Sequence, residues 1–321
     1  MGDIPSTLLS CYGLYGIKAT KERGYFVCKA EHDFFKLHKT PERHQAIWQR
    51  YELLDMLEKQ NFPQTDKILL STQGIPFVQL GRETYIMSRH IKGREPDLNC
   101  PQDVTQLVKN LARFHLSAKG IELNKYPVTA PPLSEIFAKN SAFLTKTSKQ
   151  VSKNSRLSDF DVMFIKNIPK YIEYASQSVE LLTQTDYHVL YAQALAENHI
   201  CHNELKEENL PIFDGVCYMT NWSEATVDVQ ISDFASFLRR YARRSNRQVP
   251  LKKLIEAYDL VCPIPKRGIE IIYAQLVHPW QLVKIAQQYY SKKRGWTPIA
   301  IMSRMVDVLE EQVEYDAYIE A

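Results

Sequence analysis

The hydrophobic pattern divides the chain into a strand-rich first part and a helical remainder. From Ile17 to about Ile91 the apolar runs are short and punctuated. YFVCKA (25–30) and FFKLHK (34–39), separated by Glu31-His32-Asp33, read as a hairpin. Thr40-Pro41-Glu42 then reads as a helix start, with Thr as N-cap, Pro at the first position and an acid in the first turn. The apolar positions Ile47, Tyr51, Leu54 and Leu57 fall on one helical face, which ends near Asn61-Phe62-Pro63. Three strands are predicted next, at 67–71, 76–80 and 84–91, with Gly74 and Gly81 at the turns. Lys92–Pro96 reads as a linker. Beyond it, helical stripes recur: Leu107, Leu111 and Phe114 in 104–117, a long segment over 160–182 broken or bent near Pro169, a stretch at 190–197, and a last helix from Thr297-Pro298 that buries Met302, Val306, Leu309 and Val313. A short hairpin is expected around Asp214-Gly215. The polar stretch 134–157 fits either a solvated helix or a mobile insert. The pattern as a whole is α+β, with a β-rich portion over residues 1–91 and a helical portion over 92–321.

Composition narrows the picture modestly. The chain has 321 residues, 45% of them hydrophobic, enough to bury a sizeable core. A net charge of +3 is too small to argue for nucleic acid. No run approaches the ~18 apolar residues of a membrane span. The first residues lack the basic flank and apolar core of a secretory signal; Gly2 and Ser6 match a loose lipidation pattern that is short enough to arise by chance. None of the six cysteines makes a C-x-x-C pair, so buried thiols are expected rather than a zinc or redox site. Arg239, Arg240, Arg243, Arg244 and Arg247 fall roughly on one side of a helix and read as a solvated face that an acidic partner could use.

The chemistry concentrates at His202–Asn209, H-N-E-L-K-E-E-N. It resembles the catalytic loop of protein-kinase-like phosphotransferases, H-x-D-x-x-x-x-N, in which the Asp orients the acceptor hydroxyl and the Asn holds a metal ion. Further stretches carry a closer resemblance: K-T-P-E-R (39–43), Q-N-F-P (60–63), I-K-G-R-E (91–95), L-A-R-F-H (111–115), A-K-G (118–120) and D-V-Q-I-S-D-F-A (228–235). Together these resemble the spore-coat kinase-like, CotS-type family of endospore-forming bacteria, itself similar to aminoglycoside and choline phosphotransferases. The resemblance implies a bilobal kinase-like fold.

Carried over residue by residue, it also implies a damaged site. The base position is Glu204, one methylene longer than the family's Asp, with His202 bracing the loop. The metal Asp position falls on Asn221, which is 12 residues from Asn209; Asp233, at 24, matches a second family aspartate with a structural role. Glu224 stands close enough in sequence to compensate. Aligning Arg23-Gly24 and the hairpin places His38 at the phosphate lysine, and His is shorter and mostly neutral near pH 7. Lys36 or Lys29 would substitute under a shifted register, and the partner acid would be Glu52 or Glu58. There is no glycine-rich phosphate loop. The resemblance therefore points to a coat-associated protein on a degenerate phosphotransferase (pseudokinase) scaffold, working with other spore-coat proteins. The alternative is an active phosphotransferase that uses ATP and Mg²⁺ on a hydroxyl of a small molecule, sugar or coat protein.

Overall fold

The computed structural model describes residues 4–22, 24–30, 33–121, 129–291 and 298–320. Gly2, Arg23, Glu31, His32 and Thr297 lie outside them. The chain forms two compact units, Met1–Val128 with Glu197–Val227, and Thr129–Ala196 with Asp228–Ala321.

The first unit is built on a five-stranded antiparallel sheet. In chain order it contains α1 (Ile4–Ser10), β1 (Ala19–Glu22), β2 (Tyr25–Ala30), β3 (Asp33–Thr40), α2 (His44–Lys59), β4 (Val78–Leu80), β5 (Glu83–Arg89) and α3 (Pro101–Ser117). The strand order is β1-β2-β3-β5-β4. Strand pleating sends alternate residues to opposite faces. One face of the sheet carries Cys28, Leu37 and Met87, packed under Leu8 and Leu9 of α1. The other face carries Lys36 and His38, opposite Ser88 and Ile86 of β5. The helix α1, which the apolar pattern did not reveal, thus covers one side and leaves the polar side to a cleft.

Two expectations in this region are corrected. The helix begins at His44 with Arg43 as its cap, not at Thr40. Thr40 still pairs with Thr84 in the sheet, so its backbone is already in use there. Its hydroxyl instead accepts from the Glu42 N–H at 3.2 Å and donates to Glu42 Oε1 at 2.9 Å. Residues 67–71 do not form a strand. β4 holds Tyr85, Thr84 and Glu83 on the free edge of β5, leaving room there for a single bridge between Ile68 and Ser88.

The rest of this unit places the loop that carries the chemistry. The strand β6 (Ile200–Cys201) pairs with β9 (Thr226–Val227), and between them β7 (Ile212–Phe213) and β8 (Val216–Cys217) form the expected small hairpin. Arg94 exchanges two backbone hydrogen bonds with Ile212, of 3.0 and 2.9 Å. Its guanidinium grips Asp103 in a two-pronged ion pair, which holds that carboxyl below its usual range. Gly93 lies so close to this crossing that a Cβ would sit 2.7 Å from the Ile212 carbonyl oxygen and 2.9 Å from Pro211 Cβ. Gly93→Ala is therefore expected to cost about 1–3 kcal/mol, since the obstructing atoms are mostly backbone. Urea unfolding of the variant checks this, and a change below ~0.5 kcal/mol would show that the crossing yields.

The second unit is helical: α4 (Leu133–Val151), α5 (Asp159–Thr183), α6 (Tyr187–Ala196), α7 (Gln230–Arg244), α8 (Leu251–Asp259), α9 (Gly268–Val277), α10 (Trp280–Tyr290) and α11 (Pro298–Glu320). Most of the polar stretch after residue 134 is helix α4, which buries Phe137, Leu144 and Val151. α5 opens on a capping box, Ser158 with Asp161, and runs on through Pro169. Its Phe160, Phe164 and Ile168 share a core with Leu282 of α10 and Met305 of α11.

Two side-chain assignments change here. α11 buries Ile301, Met305, Val308 and Tyr315, whereas Val313 is 69% exposed. The helix is rotated from the expected stripe because Tyr315 turns inward, its hydroxyl donating to the Leu276 carbonyl at 2.9 Å. The arginines of α7 are not a uniformly solvated face. Arg239 is half-buried, 4.7 Å over the Trp280 ring, and Arg243 lies 4.0 Å over the ring of Tyr315, while Arg247, just beyond the helix, pairs with Glu314. Burial pulls Arg239 down to about 10. Four of the six cysteines are buried, Cys11 and Cys100 are half-buried, and all six are free thiols. Among the described residues no helix is long and apolar enough to cross a membrane.

Candidate functional site

The first unit contains a cleft of about 440 Å³ between the polar face of the sheet, α2 and the loop after β6. Tyr25, Lys36 and His38 enter it from β2 and β3, and Ile86 and Ser88 from β5. Arg50 and Leu54 enter from α2, one turn apart on one face. Asn209, Thr220, Asn221 and Trp222 close it from the loop side.

His202 braces the loop from within. It is fully buried, with Nδ1 accepting from the Glu204 N–H at 3.2 Å and Nε2–H donating to the Thr220 carbonyl at 3.0 Å. Those two partners require a neutral ring with the proton on Nε2. The ring meets Trp222 edge-on at 4.6 Å, and Trp222 in turn meets Phe114. The bend into the loop uses Asn203 at φ +63°, a left-handed conformation that Asn adopts more readily than most residues.

Glu204 and Asn221, the residues expected at the base and metal positions, are bonded to each other. Glu204 accepts from the Asn221 amide, Nδ2 to Oε2, at 2.7 Å. Its other oxygen pairs with the Lys206 ammonium. Asn221 sits at φ +64°, and its Oδ1 accepts from the Ser223 hydroxyl at 3.2 Å. Asn209 is buried and donates from Nδ2 to the Glu204 backbone carbonyl at 2.9 Å. A carboxylate at position 221 could not donate this bond, and an Asp at 204 would fall short of it by about one methylene. Glu204 and Asn221 are complementary in length and in polarity.

On the sheet side of the cleft stands His38, the residue expected at the phosphate-lysine position. His38 is held down to about 4 by its burial and by Lys36 and Arg50, so it is neutral at pH 7. Its Nδ1 is buried without a partner. Lys36 lies 4.7 Å over the Tyr25 ring. Arg50 is only 11% exposed and pairs with Glu42 at 2.9 Å. Asp66 accepts from the Asn221 N–H at 3.2 Å, while its Oδ1 is buried and unpartnered. Burial raises its carboxyl to about 6 against the pull of that hydrogen bond, Arg50 and Lys36.

The cleft thus gathers His38, Lys36, Asn209 and Asn221, with Glu204 reached through Asn221. Glu52 is not among the lining residues; its Oε2 is buried without a partner. Glu58 pairs with Lys67 outside the cleft. Glu224 is exposed and contributes to the loop through its backbone carbonyl, which accepts from Asn203. Lys39 points to the opposite face of β3 and pairs with Glu83. Asp233 lies in the first turn of α7, buried within the second unit.

Arg50 and Asp66 were missed from the sequence. Arg50 interrupts an otherwise apolar stripe, between Ile47 and Leu54, and that was a usable signal. Asp66 had none, because its contact to Asn221 spans 155 residues.

A family model described as "Spore coat putative kinase YutH" matches residues 6–321. Spore coat protein S of Bacillus subtilis (strain 168) is 21% identical over 141 residues, which cover 43% of this chain and 40% of that protein. Among solved structures, an aminoglycoside phosphotransferase from Alicyclobacillus acidocaldarius superposes with a TM-score of 0.85 at 17% identity, covering 100% of this chain and 95% of that one. Spectinomycin phosphotransferase, solved with ADP and spectinomycin, gives 0.61 at 13% identity over 97% and 96% of the two chains. A choline/ethanolamine kinase family protein from Mesorhizobium loti gives 0.55 at 11%, covering 98% and 96%. At these identities the likeness shows the fold, the α+β kinase-like architecture with a small β-rich lobe and a helical lobe.

Proposed function

This chain belongs to the spore-coat kinase family, and on that premise we propose that it is a coat-associated protein built on a degenerate phosphotransferase scaffold. It acts by protein interaction in coat assembly rather than by efficient phosphoryl transfer. The observation that carries this reading is the Glu204–Asn221 hydrogen bond. Phosphoryl transfer needs a base free to meet the acceptor and carboxylates free to hold Mg²⁺. Here the carboxylate at the base position is occupied on both oxygens, by Lys206 and Asn221. The two metal positions are neutral amides, Asn209 donating to the Glu204 carbonyl and Asn221 to the Glu204 carboxylate. This donor set does not fit Mg²⁺, and a neutral His38 supplies no charge to nucleotide phosphates. Coat association is supported by the family itself and by the partial match to spore coat protein S.

The test is nucleotide binding and turnover. Purified protein with ATP and Mg²⁺ is expected to show no metal-dependent thermal shift and no transfer to water or to added hydroxyl acceptors. A metal-dependent shift that Asn209→Ala together with Asn221→Ala abolishes would favour the active phosphotransferase instead. A shift that survives EDTA would indicate a metal-independent nucleotide-binding scaffold.

A further inference from the structure

Lys36 and Arg50 line the cleft from two different elements, β3 and α2. Lys36 is half-buried, with its ammonium 4.7 Å over the Tyr25 ring. Among the described residues no carboxylate forms an ion pair with it. Arg50 is 11% exposed and spends Nη1 on Glu42, at 2.9 Å. A guanidinium carries five N–H donors in a rigid fork, so one such bond leaves donors over.

The two cations act on the same place. Both push the His38 ring down, after its burial, and no carboxylate offsets them there. Both also pull on the Asp66 carboxyl, whose charge burial opposes. Glu95 and Glu208 line the cleft as well, from the linker and from the loop, and neither pairs with Lys36 or Arg50. A partly desolvated cation without a counter-ion costs free energy that an entering anion recovers. The same cavity offers apolar wall in Leu54, Ile86 and Trp222.

We propose that Lys36 and Arg50 form an oxyanion site that takes a phosphate monoester without metal, its organic part lying against Leu54, Ile86 and Trp222. A tetrahedral dianion can meet an ammonium and a guanidinium from different sides at once. The charge comes from two side chains, one of them on the helix, in place of a metal ion. The site rests on the misfit to Mg²⁺ argued above. Asp66 shares the field of both cations and acts against the ligand.

The experiment titrates the full-length protein with inorganic phosphate and with phenyl phosphate, in EDTA at constant ionic strength near neutral pH, by calorimetry. Saturable binding is expected for both, tighter for phenyl phosphate, and unchanged when Mg²⁺ replaces EDTA. Lys36→Gln is expected to weaken it by about tenfold, the usual worth of a charge-assisted hydrogen bond, and Arg50→Gln by at least as much. Asp66→Asn keeps an oxygen for the Asn221 N–H and is expected to tighten binding severalfold. Thermal midpoints establish that the variants fold. Lys36 has no ion pair to lose, so Lys36→Gln stands if Arg50→Gln, which strands Glu42, does not. No saturable binding in EDTA, a requirement for Mg²⁺, indifference to Lys36→Gln, or no preference for the phenyl ester would each overturn the site. Phosphoryl transfer from ATP would refute the degenerate-scaffold reading, and it is told apart from these titrations because they contain no ATP.

Discussion

Asn221→Asp, in the absence of metal, is expected to destabilise the protein by about 2 kcal/mol. The change removes the 2.7 Å donor to Glu204 and sets two carboxylates at hydrogen-bond distance. Glu204 is 22% exposed on its side chain, so solvent screens only part of that repulsion. Glu204→Asp costs less, about 1 kcal/mol, because it loses the same bond without adding a charge. In the double variant the bond can be lost only once and the two carboxylates are further apart. The costs are therefore expected to fall short of additivity by roughly 1 kcal/mol. Restoring the acid at position 221 should also make stability respond to Mg²⁺, by mass action. Urea unfolding of the four proteins with and without Mg²⁺ measures all of this. If Asn221→Asp is neutral without metal, the Glu204–Asn221 pair is not what holds the loop closed.

Acidification is expected to weaken the second unit through His278. The ring stacks on Phe137 at 4.0 Å and is 2% exposed. Its Nδ1–H donates to the Ser178 hydroxyl at 2.8 Å, since the Ser178 proton is given to the Ala175 carbonyl. Its Nε2 accepts from the Asn140 amide at 3.0 Å. Protonation would set two donors face to face, in a site already under the field of the Arg239 guanidinium. Burial first and Arg239 second push the imidazole from 6.5 down to about 3. A base whose affinity for the proton falls on folding contributes stability above its unfolded value and loses it as the pH drops. The window runs from about 6.5 down to about 3, and tenfold in proton affinity is about 1.4 kcal/mol. The loss over that window is therefore of order 5 kcal/mol. His278→Gln is expected to cost stability at pH 7, through lost stacking, yet to flatten the dependence below pH ~6.5. Parallel slopes for wild type and variant between pH 7 and pH 4 would remove His278 from the account.

Local patterns carried much of the architecture. The alternation in 25–30 and 34–39 reported the two strands that bring Lys36 and His38 to one face. The Leu107–Phe114 stripe reported α3, and the spacing from His202 to Asn209 reported the loop. These features depend on neighbours a few residues apart, so composition and period suffice to specify them. That positions 38 and 221 carry His and Asn was legible for the same reason, because a side chain's type needs no coordinates.

Partnerships between distant segments were not legible. Nothing in the chain announces that Asn221 donates to Glu204, that Asp66 meets the Asn221 backbone, or that Arg50 faces His38 across the cleft. The rotation of α11 toward Tyr315 and the packing of Arg239 on the Trp280 ring belong to the same class. In each case two or more arrangements satisfy the local periodicity equally well. The choice among them is made by which polar groups find partners once water has been excluded, and that is settled only when the elements pack.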